Sequence, residues 1–268
     1  MTKHIKNFVK IDQLEGGILR LILNDSKNKN ALSEQMMKEL IDHIFNASSN
    51  NSIRVIIISA VGDVFCSGHN LKEITDARNN EDEGKEYFSN LFNLCSSLMQ
   101  MIVTCSKPVI AEINGVATAA GCQLVASCDL AIASDSSKFA TPGVNIGLFC
   151  STPMVALSRN LSKKNSMKML LTGEMIDSIE AKRISLINDH VPGENLHSAV
   201  MSVANKIASK SLATVKLGKE AFYRQHEMSL SEAYNYTSAI MTENSLADYA
   251  KEGIAAFLEK RDPDWRDD

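Results

Sequence analysis

The chain has 268 residues, 44% of them hydrophobic and 22% charged, which is globular composition with room for a large core in one domain or two. A net charge of −4 argues against nucleic acid or an anionic membrane as the main partner, although local basic patches remain open. No apolar run approaches the ~18 residues that span a bilayer; the start, MTKHIKNFVKIDQ, lacks a signal-peptide segment and is too short and mixed for a transit peptide, so a cytoplasmic protein is expected.

Two strand-like runs open the sequence, Phe8–Asp12 and Ile18–Leu23, joined at Gly16-Gly17, with Leu19, Leu21 and Leu23 on one face. A polar loop over residues 24–30 leads to Ser33, a helix cap, and to a helix whose Met37, Leu40, Ile41 and Ile44 line one side. A largely apolar strand follows at Val55–Ser59, and a Gly62-Asp63 turn returns the chain to Val64-Phe65-Cys66. Residues 76–86, rich in charge and Asn, read as a mobile surface loop before a helix from Tyr87 to Val103. Further strands are expected at Leu130–Ser134 and Phe139–Val144. From Pro153 onward the pattern is almost entirely helical. The strand–strand–helix unit recurs in outline, which fits an α/β or α+β layer fold. Cys66, Cys95, Cys105, Cys122, Cys128 and Cys150 are scattered, without CxxC, and several sit in apolar runs. Reduced core thiols fit this better than disulfides or a zinc site.

The stretch from Lys107 to Asp129 is the most informative. A strand, Val109–Ile113, runs through the Asn114-Gly115 turn into the small-residue run Ala117-Thr118-Ala119-Ala120-Gly121 and then an apolar helix. Little side-chain bulk stands where the helix begins, so a ligand can approach backbone N–H groups there, where the helix dipole also favours negative charge. Such a place suits an oxyanion hole. A tight strand-to-helix packing joint explains the same composition.

Several separated motifs, in order, resemble the crotonase (enoyl-CoA hydratase/isomerase) superfamily over essentially the whole chain. They are Asn30-Ala31-Leu32, Phe65-Cys66-Ser67-Gly68-His69-Asn70-Leu71-Lys72, Lys107-Pro108-Val109-Ile110, Asn114-Gly115, Gly121-Cys122, Cys128-Asp129, Phe139…Pro142…Gly147 and the tail Ala256–Arg261. The run from Thr118 to Pro153 looks most like one branch of that superfamily. The resemblance implies a crotonase-like spiral of ββα units, with residues 1–200 as a core holding a CoA site. Residues 201–268 are then a C-terminal helical oligomerisation region, giving a homotrimer or a hexamer built as a dimer of trimers. It implies an acyl-CoA ligand whose thioester oxygen sits between the backbone N–H groups of His69 and Ala120. Lys27, Asn28 and Lys29, with Ser67, Leu71 and Lys72 and the tail residues Phe257 and Lys260, match the positions that contact CoA. No permanently bound cofactor, metal, nucleic acid or membrane is implied, coenzyme A entering as part of the substrate. RNA binding, seen in one branch, calls for a Lys-rich helix after the first loop, and residues 33–48 contain only Lys38.

Two positions depart from the pattern. Hydration in the family uses two glutamates that hold a water and shuttle its proton. Here Gln123 stands in the first position and Gly143 in the second. General acid–base groups contribute about 10²–10⁴-fold each, so family-type hydration is doubtful. The expectation is therefore an acyl-CoA-binding lyase- or isomerase-type enzyme with altered chemistry. The alternative is a catalytically silent acyl-CoA-binding or scaffold protein. His69 could offer its imidazole to a substrate carboxylate or as a hydrogen-bond donor, or point away while its backbone acts. Asn145, Cys150 and Ser151 fall where other branches place catalytic groups, and Glu73, Asp76 and Glu112 are the remaining carboxylates near the motifs.

Overall fold

The computed structural model describes residues 7–265. Its chain opens as an antiparallel hairpin of β1 (Val9–Leu14) and β2 (Ile18–Leu23), with Val9 opposite Leu23. Leu19, Leu21 and Leu23 share one buried face, as a period of two requires. The first helix, α1 (Glu34–Ser49), starts where the Ser33 hydroxyl accepts from the Met36 N–H, and it buries Met36, Met37, Leu40 and Ile44.

Three strand–strand–helix turns follow. β3 (Val55–Ala60) and β4 (Val64–Cys66) lead into α2 (Leu71–Ala77) and α3 (Lys85–Thr104). β5 (Val109–Ile113) and β6 (Val116–Thr118) lead into α4 (Ala120–Ser127). β7 (Leu130–Ser134) and β8 (Lys138–Ala140) lead into α5 (Ser151–Asn160) and α6 (Lys163–Thr172). Next come β9 (Ile176–Asp177), α7 (Ser178–Arg183) and β10 (Asp189–Val191). The first strand of every turn joins a six-stranded sheet in the order β1-β2-β3-β5-β7-β10, and the second joins a four-stranded sheet in the order β4-β6-β8-β9. Apart from the β1–β2 and β8–β9 pairs, all pairings are parallel. The expected spiral of ββα units is present.

One face of the large sheet carries Leu21, Ile56, Ile58, Val109 and Ala111 into a core shared with α1, α3 and α4. The other face presents Ile18, Val55, Ile57, Ile110 and Ile132 to α8 (Leu196–Ala208), which covers it with Leu196, Val200 and Ala204. Both faces of these strands are buried, hence their near-continuous apolar runs. The division expected after residue 200 falls inside α8. Three further helices complete the described chain: α9 (Leu212–Gln225), α10 (Leu230–Leu246) and α11 (Asp248–Glu259).

Three local expectations are corrected. The run beyond Pro153 includes β9 and β10, strands of two and three residues that are too short to show alternation and are set by their partners β8 and β7. The strand expected over Phe139–Val144 stops at Ala140, because Pro142 has no N–H for a ladder and opens a 3₁₀ turn instead. The polar stretch of residues 76–86 is short and turned: α2 runs to Ala77, α3 begins at Lys85, and the Asp82 carboxylate accepts from the N–H groups of Gly84 and Glu86.

All six cysteines are buried and free. Burial pushes the thiols of Cys66, Cys95 and Cys122 up to about 12, so they rest protonated and pack as apolar groups. Among the described residues, no helix is long and apolar enough to cross a membrane, and no group of three His, Cys, Asp or Glu side chains could hold a metal.

A buried ion pair fixes α9 to the core. Lys219 Nζ donates to Asp129 Oδ2 at 2.7 Å and to the carbonyls of Ile102 and Lys107 at 3.0 and 2.9 Å. The Tyr223 hydroxyl donates to Asp129 Oδ1 at 2.9 Å, and the same carboxylate accepts from the Val109 N–H. Replacing Lys219 by Met leaves the carboxylate without its cation and should cost about 3–5 kcal/mol in urea unfolding. An Asp129→Asn/Lys219→Met double variant should recover part of that loss, and a Lys219→Met midpoint equal to wild type would show that the pair does not anchor the helix.

Candidate functional site

The polar loop before α1 is built on Asn30, which is fully buried. Its Oδ1 accepts from the Asp25 N–H at 2.8 Å, and its Nδ2 donates to the carbonyls of Val61 and Val64 at 2.9 and 2.7 Å. One side chain thus closes the loop and pins it to the β3–β4 turn. Lys27, Asn28 and Lys29 stand exposed on its outer side, with Asn28 Nδ2 donating to Asp25. The Lys29 carbonyl accepts from the Ser67 N–H at 3.2 Å, and the Leu32 N–H donates to the Gly68 carbonyl at 2.8 Å. The structure therefore brings Lys27, Asn28, Lys29, Ser67 and His69 into one neighbourhood.

The small-residue run meets this segment from the other side. Gly68 has φ +91°, and a Cβ there would lie 2.9 Å from the Ala119 Cβ and 3.3 Å from the Ala120 nitrogen. Only glycine permits both that conformation and that approach. Ala119 itself sits at φ 51°, ψ −119°, a strained conformation for a residue with a Cβ. It is held there by its own N–H on the Ala140 carbonyl, and its carbonyl accepts from the Gln123 N–H. Ala120 is the first residue of α4, so its N–H has no partner within the helix. Neither it nor the His69 N–H donates to any other backbone carbonyl among the described residues. Two unspent donors therefore belong to segments in direct contact, at the positive end of a helix.

Gln123 and Gly143, where the resemblance leads one to expect glutamates, are both buried. Gln123 is buried, and its Oε1 receives a weak hydrogen bond from the Cys95 thiol at 3.8 Å. Gly143 is also buried, and no side chain fits there as the chain stands. A Cβ would lie 2.7 Å from the Leu148 carbonyl oxygen and 2.9 Å from Cys150 Sγ. The Leu148 N–H closes this turn on the Gly143 carbonyl at 2.9 Å. Backbone and thiol fill the volume in which a side chain at this position would begin. Burial raises the Cys150 thiol, with the Gly143 amide offsetting part of the effect, so it is no ready nucleophile.

The remaining carboxylates separate clearly. Glu112 belongs to the α8 face of the sheet, where it pairs with Arg20 and faces His197 at 3.4 Å, so it is not part of the site. Glu73 is beside it. Its carboxylate accepts from Asn70 Nδ2 at 2.9 Å and from the Tyr87 hydroxyl at 3.2 Å, tying α2 to α3. The His69 Nδ1 meets the Leu32 carbonyl at 3.3 Å, while the Phe92 ring stands edge-on at 5.6 Å. Burial holds this imidazole below its ordinary pKa, hence neutral. Tyr87 and Phe92 carry no motif signal, and Cys95 reads only as a core thiol, because nothing but helical phase brings them here.

Leu71 and Lys72 form the exposed first turn of α2, where the Lys72 N–H donates to the Asn70 side chain. Phe257 and Lys260 are exposed at the end of α11, and the Trp265 indole fixes the following segment to the Ser209 carbonyl, at the α8–α9 junction. No hydrogen bond or ion pair among the described residues joins Phe257 or Lys260 to the Lys27–Lys29 loop.

A family model described as Enoyl-CoA hydratase/isomerase matches residues 13–268. Enoyl-CoA hydratase domain-containing protein 3, mitochondrial, from Xenopus laevis is 51% identical, with 94% of this chain and 84% of the relative covered. The Homo sapiens protein of that name is 49% identical over 93% of this chain and 80% of the relative. The crystal structure of human enoyl Coenzyme A hydratase domain-containing protein 3 superposes with a TM-score of 0.92 at 47% identity, covering 97% of this chain and 100% of that one. An enoyl-CoA hydratase from Mycobacterium smegmatis superposes equally well, at 41% identity over 97% of this chain and 99% of that one. These domain-containing relatives are the branch that residues 118–153 resemble. Their names place them in mitochondria, which overturns the expectation of a cytoplasmic protein. That expectation rested on the start of the chain, whose residues 1–6 lie outside the described ones, whereas import addresses are read apart from the folded body.

The packing at Gly143 yields a test. Gly143→Ala should destabilise the protein by about 1–3 kcal/mol, as overpacking does, and Gly143→Glu should fold less well still. Unfolding curves for both that match wild type would mean that residues 148–150 move aside freely.

Proposed function

Because the chain belongs to the enoyl-CoA hydratase/isomerase family, we propose that it binds a coenzyme A thioester and polarises the carbonyl between the backbone N–H groups of His69 and Ala120. The observation that carries this reading is the contact of Gly68 with Ala119 and Ala120, beside two N–H groups without partners. A thioester carbonyl accepts two such bonds, and they strengthen as charge moves onto oxygen in an enolate-like transition state. Losing one donor of this kind costs about 2.7–4 kcal/mol in a studied case. Lys27 and Lys29, exposed on the loop whose Lys29 carbonyl accepts from Ser67, supply positive charge for the CoA phosphates, and Asn28, Leu71 and Lys72 are exposed as well. Phe257 and Lys260 serve that ligand from a neighbouring copy. Coenzyme A enters with the substrate, and no resident cofactor is called upon.

The chemistry is not ordinary hydration. Gln123 orients but does not accept a proton near neutral pH, and Gly143 offers nothing. The protein therefore binds and polarises thioesters in an altered lyase- or isomerase-type reaction. A catalytically silent acyl-CoA binder is the outcome if no CoA ester in a panel turns over. Assembly follows from α10, which has no buried residue and leaves Leu230 76% and Tyr234 67% exposed. Such surface in a soluble chain calls for a partner, here other copies in a trimer or hexamer.

Two measurements check this reading. Calorimetry should give micromolar or tighter binding of crotonyl-CoA, with hydration at least about 10²-fold below that of a relative carrying both carboxylates. Absence of binding would remove the functional reading, and ordinary hydration rates would mean that another base serves the site. Sedimentation at micromolar concentration should give a trimer or hexamer, and a monomer would contradict the assembly.

A further inference from the structure

Cations gather around a buried lysine at the end of the large sheet where its parallel strands begin. β3 and β5 run side by side with Ile56 opposite Val109, so Arg54 and Lys107 stand level just before them. The Arg54 guanidinium donates to the carbonyls of Ala208 and Lys210 at 2.7 and 2.8 Å, which sets its charge at the α8–α9 junction. Lys219 of α9 reaches the Lys107 carbonyl, and Lys216 lies about one turn earlier on the same helix.

Lys107 is 2% exposed, yet its ammonium has no hydrogen-bond or ion-pair partner among the described residues. The nitrogen is not fully enclosed either, so what little of the residue meets water includes the charge. Burial first, and then the charges of Lys216 and Arg54, hold its pKa below the ordinary lysine value, against the opposing Cys105 sulfur. A charge that has lost most of its water and gained two like neighbours is costly unless something negative joins it.

The start of α9 supplies the other half of such a place. Ser211 caps this 14-residue helix by accepting from the Thr214 N–H at 3.2 Å. The N–H groups of Leu212 and Ala213 donate to no backbone carbonyl among the described residues, and they stand at the positive end of the helix. They follow closely on Lys210, whose carbonyl Arg54 holds.

We propose that Lys107, Lys216 and the first N–H groups of α9 bind a phosphate ion, with Arg54 adding its charge from the α8–α9 junction. A phosphate brings several acceptor oxygens and more than one negative charge, so one ion can take backbone N–H groups and two ammonium groups together. Lys216 is exposed and meets the ion from the water side, while Lys107 meets it from the protein side. The loop carrying Lys27 and Lys29 is bonded to the turn after β3, whereas this cluster lies before β3, six residues or roughly 20 Å away. The phosphate site is therefore independent of the thioester reading above.

The single tryptophan gives a local readout, because the Trp265 indole donates to the carbonyl of Ser209, the residue between the two that Arg54 holds. Titrating inorganic phosphate at constant ionic strength should change Trp265 fluorescence saturably and raise the urea midpoint, as a ligand of the folded state does. Chloride should do neither. Lys216→Ala, at an exposed position, should weaken phosphate binding roughly 10-fold. Lys107→Met should lose the response and, without phosphate, unfold at higher urea than wild type, since an unpaired buried charge is gone. Lys27→Ala/Lys29→Ala should keep the response. A phosphate effect equal to that of chloride, or one that survives in Lys107→Met, would overturn the proposal. Undiminished binding in Lys216→Ala would do the same, and it decides the matter even if Lys107→Met folds poorly. Loss of the response in Lys27→Ala/Lys29→Ala would also overturn it, by placing the ion on the other loop.

Discussion

Close approach between two backbones is the constraint on which the site depends. Residues 66–68 leave β4 and run against the start of α4 with almost no side chain between them: a Cβ at Gly121 would lie 2.2 Å from the Cys66 carbonyl oxygen, and one at Gly68 would meet Ala119. Larger residues at these points would drive the two segments apart and separate their free N–H groups. The strain at Ala119 is part of the same arrangement, since its unusual backbone turns β6 directly into α4. Asn30 fixes the third partner by bonding the lysine-bearing loop to the β3–β4 turn. Two glycines, a strained alanine and one buried amide thus position a site that contains few side chains of its own.

This economy explains how much of the molecule could be read from its residues. Period-two leucines in β2 and the Ser33 cap of α1 carry their own signals, because one face of each element meets the core. The small-residue run is legible because close packing excludes bulk. β9 and β10 are not legible, since a strand of two or three residues is defined by the edge it joins. Nor could local sequence separate Glu73 from Glu112. Both are single carboxylates near motifs, but strand alternation turns Glu112 toward Arg20 and α8, while helical phase sets Glu73 against Tyr87. Compartment was not legible at all, because it depends on an address rather than on packing.

Gly143 is held in place by packing that its motif does not reveal. A glycine in a buried turn can leave an empty space beside it. Here the Leu148 N–H closes the turn on the Gly143 carbonyl, and the Cys150 thiol, protonated because burial raises it, packs against the glycine. A side chain at this position would meet both Leu148 and Cys150, so more than one neighbour would have to give way. Gln123 is likewise buried, its Oε1 accepting a weak hydrogen bond from the Cys95 thiol.

The order of the large sheet has a consequence for how the chain acquires its structure. From β1 onward the strands are added at one advancing edge, in the same sequence in which a ribosome delivers them. Each new parallel strand needs only its predecessor as a template, so early turns can consolidate while later residues are still being made. Until its successor arrives, that advancing edge is an unpaired strand, a template for any other extended chain nearby. β10 ends the exposure on β7, more than fifty residues after β7 itself. The growing edge is therefore most vulnerable to aggregation during the interval in which α5, α6 and α7 emerge.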